Sequence, residues 1–126
     1  LVITLLLLSS VPAYAEWVLV SVVDQAGVTL YVDPGAIQRK GDRVEVLELI
    51  DYKTMQTVTG TSFLSARVQR EYDCAGDRHR TLALTRLSGK MGTGEAIPAN
   101  ADQPTWEPVD PWTIGKRLWK VACDKK

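Results

Sequence analysis

Between Gln69 and Leu82 the sequence reads QREYDCAGDRHRTL, which crowds chemistry-bearing residues into one short stretch. It holds Cys74, the chain's single histidine His79, the carboxylates of Glu71, Asp73 and Asp77, and the guanidiniums of Arg70, Arg78 and Arg80. A Cys–His nucleophile would need Cys74 and His79 to meet. Five positions apart on an extended chain they face opposite ways, so only a tight turn joins them. A metal site built from Asp73, Cys74, Asp77 and His79 matches neither C-x-x-C nor H-x-x-x-H spacing. A redox dithiol would use C-x-x-C, which does not occur. Acid–base work by the carboxylates would need a pocket and differing environments, whereas the adjacent arginines point to ion pairs. Haem attachment by C-x-x-C-H is absent too, leaving His79 a weak candidate for an axial ligand. No catalytic or metal residue is assigned and no cofactor is expected. The chain reads as non-enzymatic.

The remaining option for Cys74 is a disulfide with Cys123, the second of two cysteines. The first fifteen residues, LVITLLLLSSVPAYA, carry no charge and end in Ala13-Tyr14-Ala15. That is an apolar core followed by a small-x-small cleavage site, so residues 1–15 are expected to be a secretory signal peptide without its basic n-region. Residues 16–126 then form one exported domain, with no membrane-spanning segment after cleavage. In an oxidising compartment a small domain gains from a crosslink. Closing a loop of this length is worth about 4 kcal/mol in the loop-entropy model.

Composition narrows the function classes. Fifteen basic and fifteen acidic residues, all after residue 15, leave no net charge. That lacks the basic field on which nucleic-acid binding depends. No glycine-rich phosphate loop or serine-centred elbow is present.

The elements that must position these residues are mostly strands. EWVLVSVVD (16–24) and VTLYVD (28–33) make a hairpin across the Asp24–Gly27 turn. Turns at 33–37 and 39–43 precede a strand at 44–53, apolar on both faces in its middle. In 61–74, Leu64, Ala66, Val68, Tyr72 and Cys74 share one face, interrupted by Arg70, while Ser65, Arg67, Gln69, Glu71 and Asp73 take the other. A fifth strand follows at 79–90. The Pro- and Gly-rich stretch beyond is loop, with a short edge strand expected near 94–98 or 104–109. The end is helical: Asp110 reads as N-cap and Pro111 as the first helical residue. Trp112, Ile114, Leu118, Trp119, Val121, Ala122 and Cys123 then lie on one broad apolar arc, with Lys116, Arg117 and Lys120 opposite. The helix arc ends in Cys123 and the apolar strand face ends in Cys74, so a disulfide can pin the helix to the sheet. The expected fold is α+β: an antiparallel sheet of about five to six strands, with a C-terminal helix packed on one face and tethered by that disulfide.

Tryptophans at 17, 106, 112 and 119 serve as large core anchors. Trp106, in the Pro-rich loop, is the one expected to be most exposed, and is a second weak ligand-binding candidate beside His79.

Trp17, YVDPGAI (31–37), ELIDYK (48–53), SARVQREYDC (65–74), Trp106 and the terminal VAC (121–123) together resemble the surface-adhesin protein E family of Gram-negative bacteria. The resemblance implies a sheet of about six strands with a disulfide-tethered helix, matching the reading from residue patterns. It also implies a cell-envelope binding module, periplasmic or at the cell surface, whose partner is an envelope protein or a host matrix protein. Haem binding has been attributed to the named adhesin. Surface-held members use a lipid on an N-terminal Cys, whereas Glu16 is the expected first mature residue here. A structural or accessory periplasmic protein without a separable ligand is the alternative, with a haem or small-ligand binder behind it. An exposed strand edge can also pair two copies into a homodimer.

Overall fold

The computed structural model describes residues 16–99, 105–111 and 113–124. The segment expected to be a signal peptide, and Trp112, lie outside the described residues.

Among the described residues eight strands form one antiparallel sheet: β1 (Val18–Val23), β2 (Val28–Val32), β3 (Gln38–Lys40), β4 (Arg43–Val58), β5 (Thr61–Asp73), β6 (Arg78–Leu87), β7 (Ala96–Ala99) and β8 (Glu107–Pro108). Neighbours run β1-β2-β4-β5-β6-β7, with β3 added on β4 and β8 on β6. The long β4, β5 and β6 carry the sheet. The six-strand path agrees with the expected count, and the short β3 and β8 are additional.

Sequence explains most boundaries. Gly27 ends the β1–β2 connection in the left-handed region at φ 65°, which glycine adopts without steric cost. Thr59 and Gly60, at φ 51° and 78°, make a two-residue hairpin whose twist suits the flanking strands. The turn expected at 39–43 is tighter: Lys40 pairs with Arg43, and only Gly41 and Asp42 turn. β4 runs past its expected end at 53, because a register shift between Asp51 and Gln56 lets it resume pairing with β5. The same shift makes Phe63 (4% exposed) the buried residue at the start of β5, in place of Leu64. Both alternatives for the edge strand are realised, as β7 and β8.

Helix α1 (Ile114–Asp124) lies across one end of the sheet. Its expected start at Pro111 is corrected to Ile114. The Asp110 carbonyl accepts hydrogen bonds from both the amide and the hydroxyl of Thr113. This closes a separate turn before the helix begins. Leu118 and Ala122 pack on Leu30, Val32, Val44, Val46 and Tyr72 to form the main core. Cys74 and Cys123 are joined, with Cα atoms 5.7 Å apart. Three hydrogen bonds add to that tether. Trp119 Nε1 donates to the Asp73 carbonyl at 3.1 Å, Arg117 Nη1 to Ser21 Oγ at 3.0 Å, and Arg39 Nη1 to the Cys123 carbonyl at 3.1 Å.

On the reverse face, the loop around Lys90–Gly92 folds over Leu49. The Gly92 and Met91 amides donate to Ser65 Oγ and Asp51 Oδ1 at 2.9 and 2.8 Å. Fully buried Ser65 in turn donates to the Gly89 carbonyl.

Because Leu118 is buried in the helix–sheet core, Leu118→Ala should destabilise the oxidised protein by about 2–5 kcal/mol. Denaturant unfolding followed by tryptophan fluorescence reads this directly.

Candidate functional site

The helix-bearing face holds the residues that a purely apolar core would exclude. Alternation along β5 turns Val68, Arg70 and Tyr72 towards α1, and the register sets Val44 opposite Tyr72, Val46 opposite Arg70 and Glu48 opposite Val68. Glu48 is therefore one diagonal step from Arg70. Arg70 Nε donates to Glu48 Oε1 at 2.9 Å, and the Tyr72 hydroxyl donates to Glu48 Oε2. Across the β5–β6 pairing His79 sits opposite Tyr72, its ring stacked at 6.0 Å between centroids. Arg70 Nη1 donates to His79 Nδ1 at 3.1 Å. A guanidinium has no acceptor, so Nδ1 carries the lone pair and the imidazole proton sits on Nε2.

Burial sets the electrostatics of this chain of contacts. It pushes the Glu48 carboxyl above its ordinary value, opposed by the Arg70 charge and by hydrogen bonds from Tyr72 and Arg70. Burial and the neighbouring Glu48 carboxylate hold Tyr72 as a phenol, well above the usual range. His79 is lowered, first by burial and then by the Arg70 charge, with Glu107 opposing. Among the described residues no buried side-chain nitrogen or oxygen lacks a hydrogen-bond partner, the condition under which a buried polar network rigidifies a core.

Glu48, Arg70, Tyr72 and His79 line a cleft of about 400 Å³ between β4–β6 and the start of α1. Leu30 and Ile50 form part of its apolar lining, with Val109, Ile114 and Leu118 on the helix side. His79, the sequence candidate, is there. The reading of residue types missed Glu48 and Arg70 as its partners. Two opposite charges at inward positions of adjacent strands were the available signal.

Glu71 and Asp73 lie on the opposite face. Arg80 Nη2 lies 2.7 Å from Glu71 Oε1, and Arg78 Nε donates to Asp73 Oδ2 at 2.9 Å. Asp73 Oδ1 accepts from the Ala75 and Gly76 amides. The bond from Arg78, followed by those amides, holds the Asp73 carboxyl below its ordinary value. Both carboxylates are buried, although alternation alone assigned them to the face away from the core. Trp106 is half-buried. The guanidiniums of Arg78 and Arg80 lie 4.5 Å, and that of Arg43 5.3 Å, from its ring centroid. Cation–π attraction thus clamps the loop before β8 against the sheet. Trp106 and His79 are consequently not brought together. Asp77 turns the chain at φ 48° and lies 3.8 Å from Lys116 Nζ. Cys74 is consumed by its disulfide. Among the described residues no three His, Cys, Asp or Glu side chains group as a metal site.

The family model described as "Surface-adhesin protein E" matches residues 17–124. The chain belongs to the surface-adhesin protein E family. Solved structures of Haemophilus influenzae protein E share the fold. Its selenomethionine form superposes with a TM-score of 0.70 at 13% identity, over 89% of this chain and 88% of that one. A second crystal form gives 0.69 at 13% identity, over 84% and 87%. Protein E from a non-typeable strain gives 0.66 at 13%, over 84% and 75%. No curated protein matches the chain. Membership makes this an adhesin-like protein. Among the described residues no helix is long and apolar enough to cross a membrane.

Two outcomes follow from the Glu48–Arg70–His79 chain. Arg70→Ala strands a buried carboxylate and should cost about 3–5 kcal/mol at neutral pH, whereas Glu48→Gln combined with Arg70→Met should recover most of that loss in urea unfolding. His79 is lowered in the fold, so below its ordinary value of 6.5 the unfolded chain binds the extra proton first. The His79 contribution is therefore complete above pH 6.5 and lost as pH falls through the lowered value. His79→Gln should flatten that part of the stability profile. Glu48 acts with the opposite sign, its raised value eroding stability as pH climbs above 4.5.

Proposed function

We propose that this chain is an exported, non-enzymatic binding module of the cell envelope that engages a protein partner. Membership of the surface-adhesin protein E family over residues 17–124 carries this reading. The residues that sequence nominated for catalysis support it: Glu71 and Asp73 are tied to Arg80 and Arg78, and His79 Nδ1 is occupied by Arg70. Each performs a structural task.

Strand β1 supports a protein partner. It lies at the end of the sheet path, pairing among the described residues only with β2. Val18, Leu19 and Val22 on it are 48%, 55% and 53% exposed. An unpaired edge with exposed apolar side chains suits strand addition by another chain. A β-bulge between Leu19 and Ser21 limits how much of that edge can pair regularly. Partner binding would therefore draw on side-chain contacts as well as the backbone. The expected leader and export place the partner in the envelope or, for surface display, on a host matrix.

Fractionation of the native cells followed by antibody labelling of intact cells tests this. Envelope recovery is expected, with external labelling for a host-facing role and periplasmic recovery for an envelope partner. Retention in the cytoplasm contradicts the proposal. Leu19→Lys should change stability by no more than about 0.5 kcal/mol, as for other exposed positions. It should reduce saturable binding to the immobilised partner, whereas unchanged binding would remove β1 from the interface.

A further inference from the structure

Helix α1 covers only one end of its sheet face. Beyond it, on the same face, Ile50, Ala66, Val68 and Leu84 line a second groove of about 390 Å³, with Tyr52 and Phe63 as aromatic walls. The volume falls within the roughly 300–1,000 Å³ of small-ligand sites. Its shape follows from the register shift in β4. Between the pairs Asp51–Ser65 and Gln56–Phe63, β4 advances five residues while β5 moves two. Tyr52 meets Phe63 edge-on there, at 5.5 Å between ring centroids and 76° between planes.

Charge decides what chemistry the groove suits. Two guanidiniums line it, from Arg70 and Arg86, and among the described residues no carboxylate does. Arg70 is neutralised by Glu48. Arg86 lies over the Phe63 ring, 5.2 Å from its centroid, and among the described residues no carboxylate pairs with it. Tyr52 supplies a phenol close enough to feel the Arg86 charge, and Thr81 supplies a hydroxyl. Positive charge and donors thus surround an apolar floor on which Ala66 and Val68 are each 2% exposed.

We propose that this groove binds an aliphatic carboxylate, with the chain along Ile50, Ala66, Val68 and Leu84 and the carboxylate held by Arg86. A carboxylate is acceptor-only and can take two parallel bonds from a guanidinium. Taking the ligand's alkyl chain out of water contributes in proportion to its length. This site is distinct from partner binding at β1, and Leu19→Lys leaves it intact.

Calorimetric titration of the purified oxidised protein with octanoate, decanoate and dodecanoate, each below its micelle concentration, is the test. Saturable one-to-one binding is expected, tightening about fourfold per added methylene. Decanol should bind at least about tenfold more weakly than decanoate, having lost the charge-assisted bonds. Arg86→Gln should bring decanoate down to the affinity of decanol and leave decanol unchanged. Ala66→Leu, which fills the floor, should weaken both. Equal binding of acid and alcohol, absence of a chain-length trend, or an Arg86→Gln variant that binds decanoate as before would overturn the assignment. So would the absence of saturable decanoate binding by the unaltered protein, which needs no variant to fold.

Discussion

The link between Cys74 and Cys123 is the constraint on which the placement of α1, and with it the shape of the helix-bearing face, depends. An eleven-residue helix is marginal on its own in water, and Gly115 lowers its propensity further. Packing and the covalent tether must supply the difference. The disulfide fixes the C-terminal end of α1 at the end of β5, and Arg39 hydrogen-bonds the Cys123 carbonyl from β3. The helix start is held by other means: the Asp110–Thr113 turn and the contact of Lys116 with Asp77. A helix fixed at one end and packed through Leu118 and Ala122 covers part of the sheet face. The two clefts on that face are consequences of where it stops.

Beneath the helix the protein tolerates Glu48 and Arg70 because each satisfies the other and one further group, Tyr72 for Glu48 and His79 for Arg70. Buried ion pairs are weak sources of net stability against an apolar alternative. Their value here is positional: Tyr72 and Arg70 are fixed by one carboxylate, and Arg70 then fixes the His79 ring. Glu71 and Asp73 serve the reverse face similarly, pairing with arginines that also clamp Trp106. One strand, β5, thus carries a network on each side. The alternation of Arg70 and Tyr72 with Glu71 and Asp73 supplies both.

Much of this was legible in the order of residues. Alternation along 61–74 placed Tyr72 and Cys74 on one face, the helical period placed Ala122 and Cys123 on another, and the two met as expected. Strand existence was well marked by β-branched runs and glycine turns. Boundaries were less so, because the start of α1 depends on whether Thr113 caps a separate turn, and propensity does not encode that. The shift that substitutes Phe63 for Leu64 arises from competition between β4 and β5 for register, a tertiary effect. Site residues were the least legible. His79 stood out as the single histidine and Trp106 by its place in the Pro-rich loop, yet they lie on opposite faces, while Glu48 gains its importance only when the sheet sets it beside Arg70.

Family membership fits this division of labour. Identity of 13% to Haemophilus influenzae protein E leaves little beyond the scaffold in common, so the fold is shared while the surfaces that meet partners can differ. The dependence on the disulfide can be read residue by residue from hydrogen exchange of the Ile114–Asp124 amides, compared with those of β4 and β5, in oxidised and reduced protein. Reduction should abolish protection along α1 and leave the paired amides of β4 and β5 protected. Helix amides equally protected in both forms would show that packing alone holds α1, and would contradict the tether as the constraint on its placement.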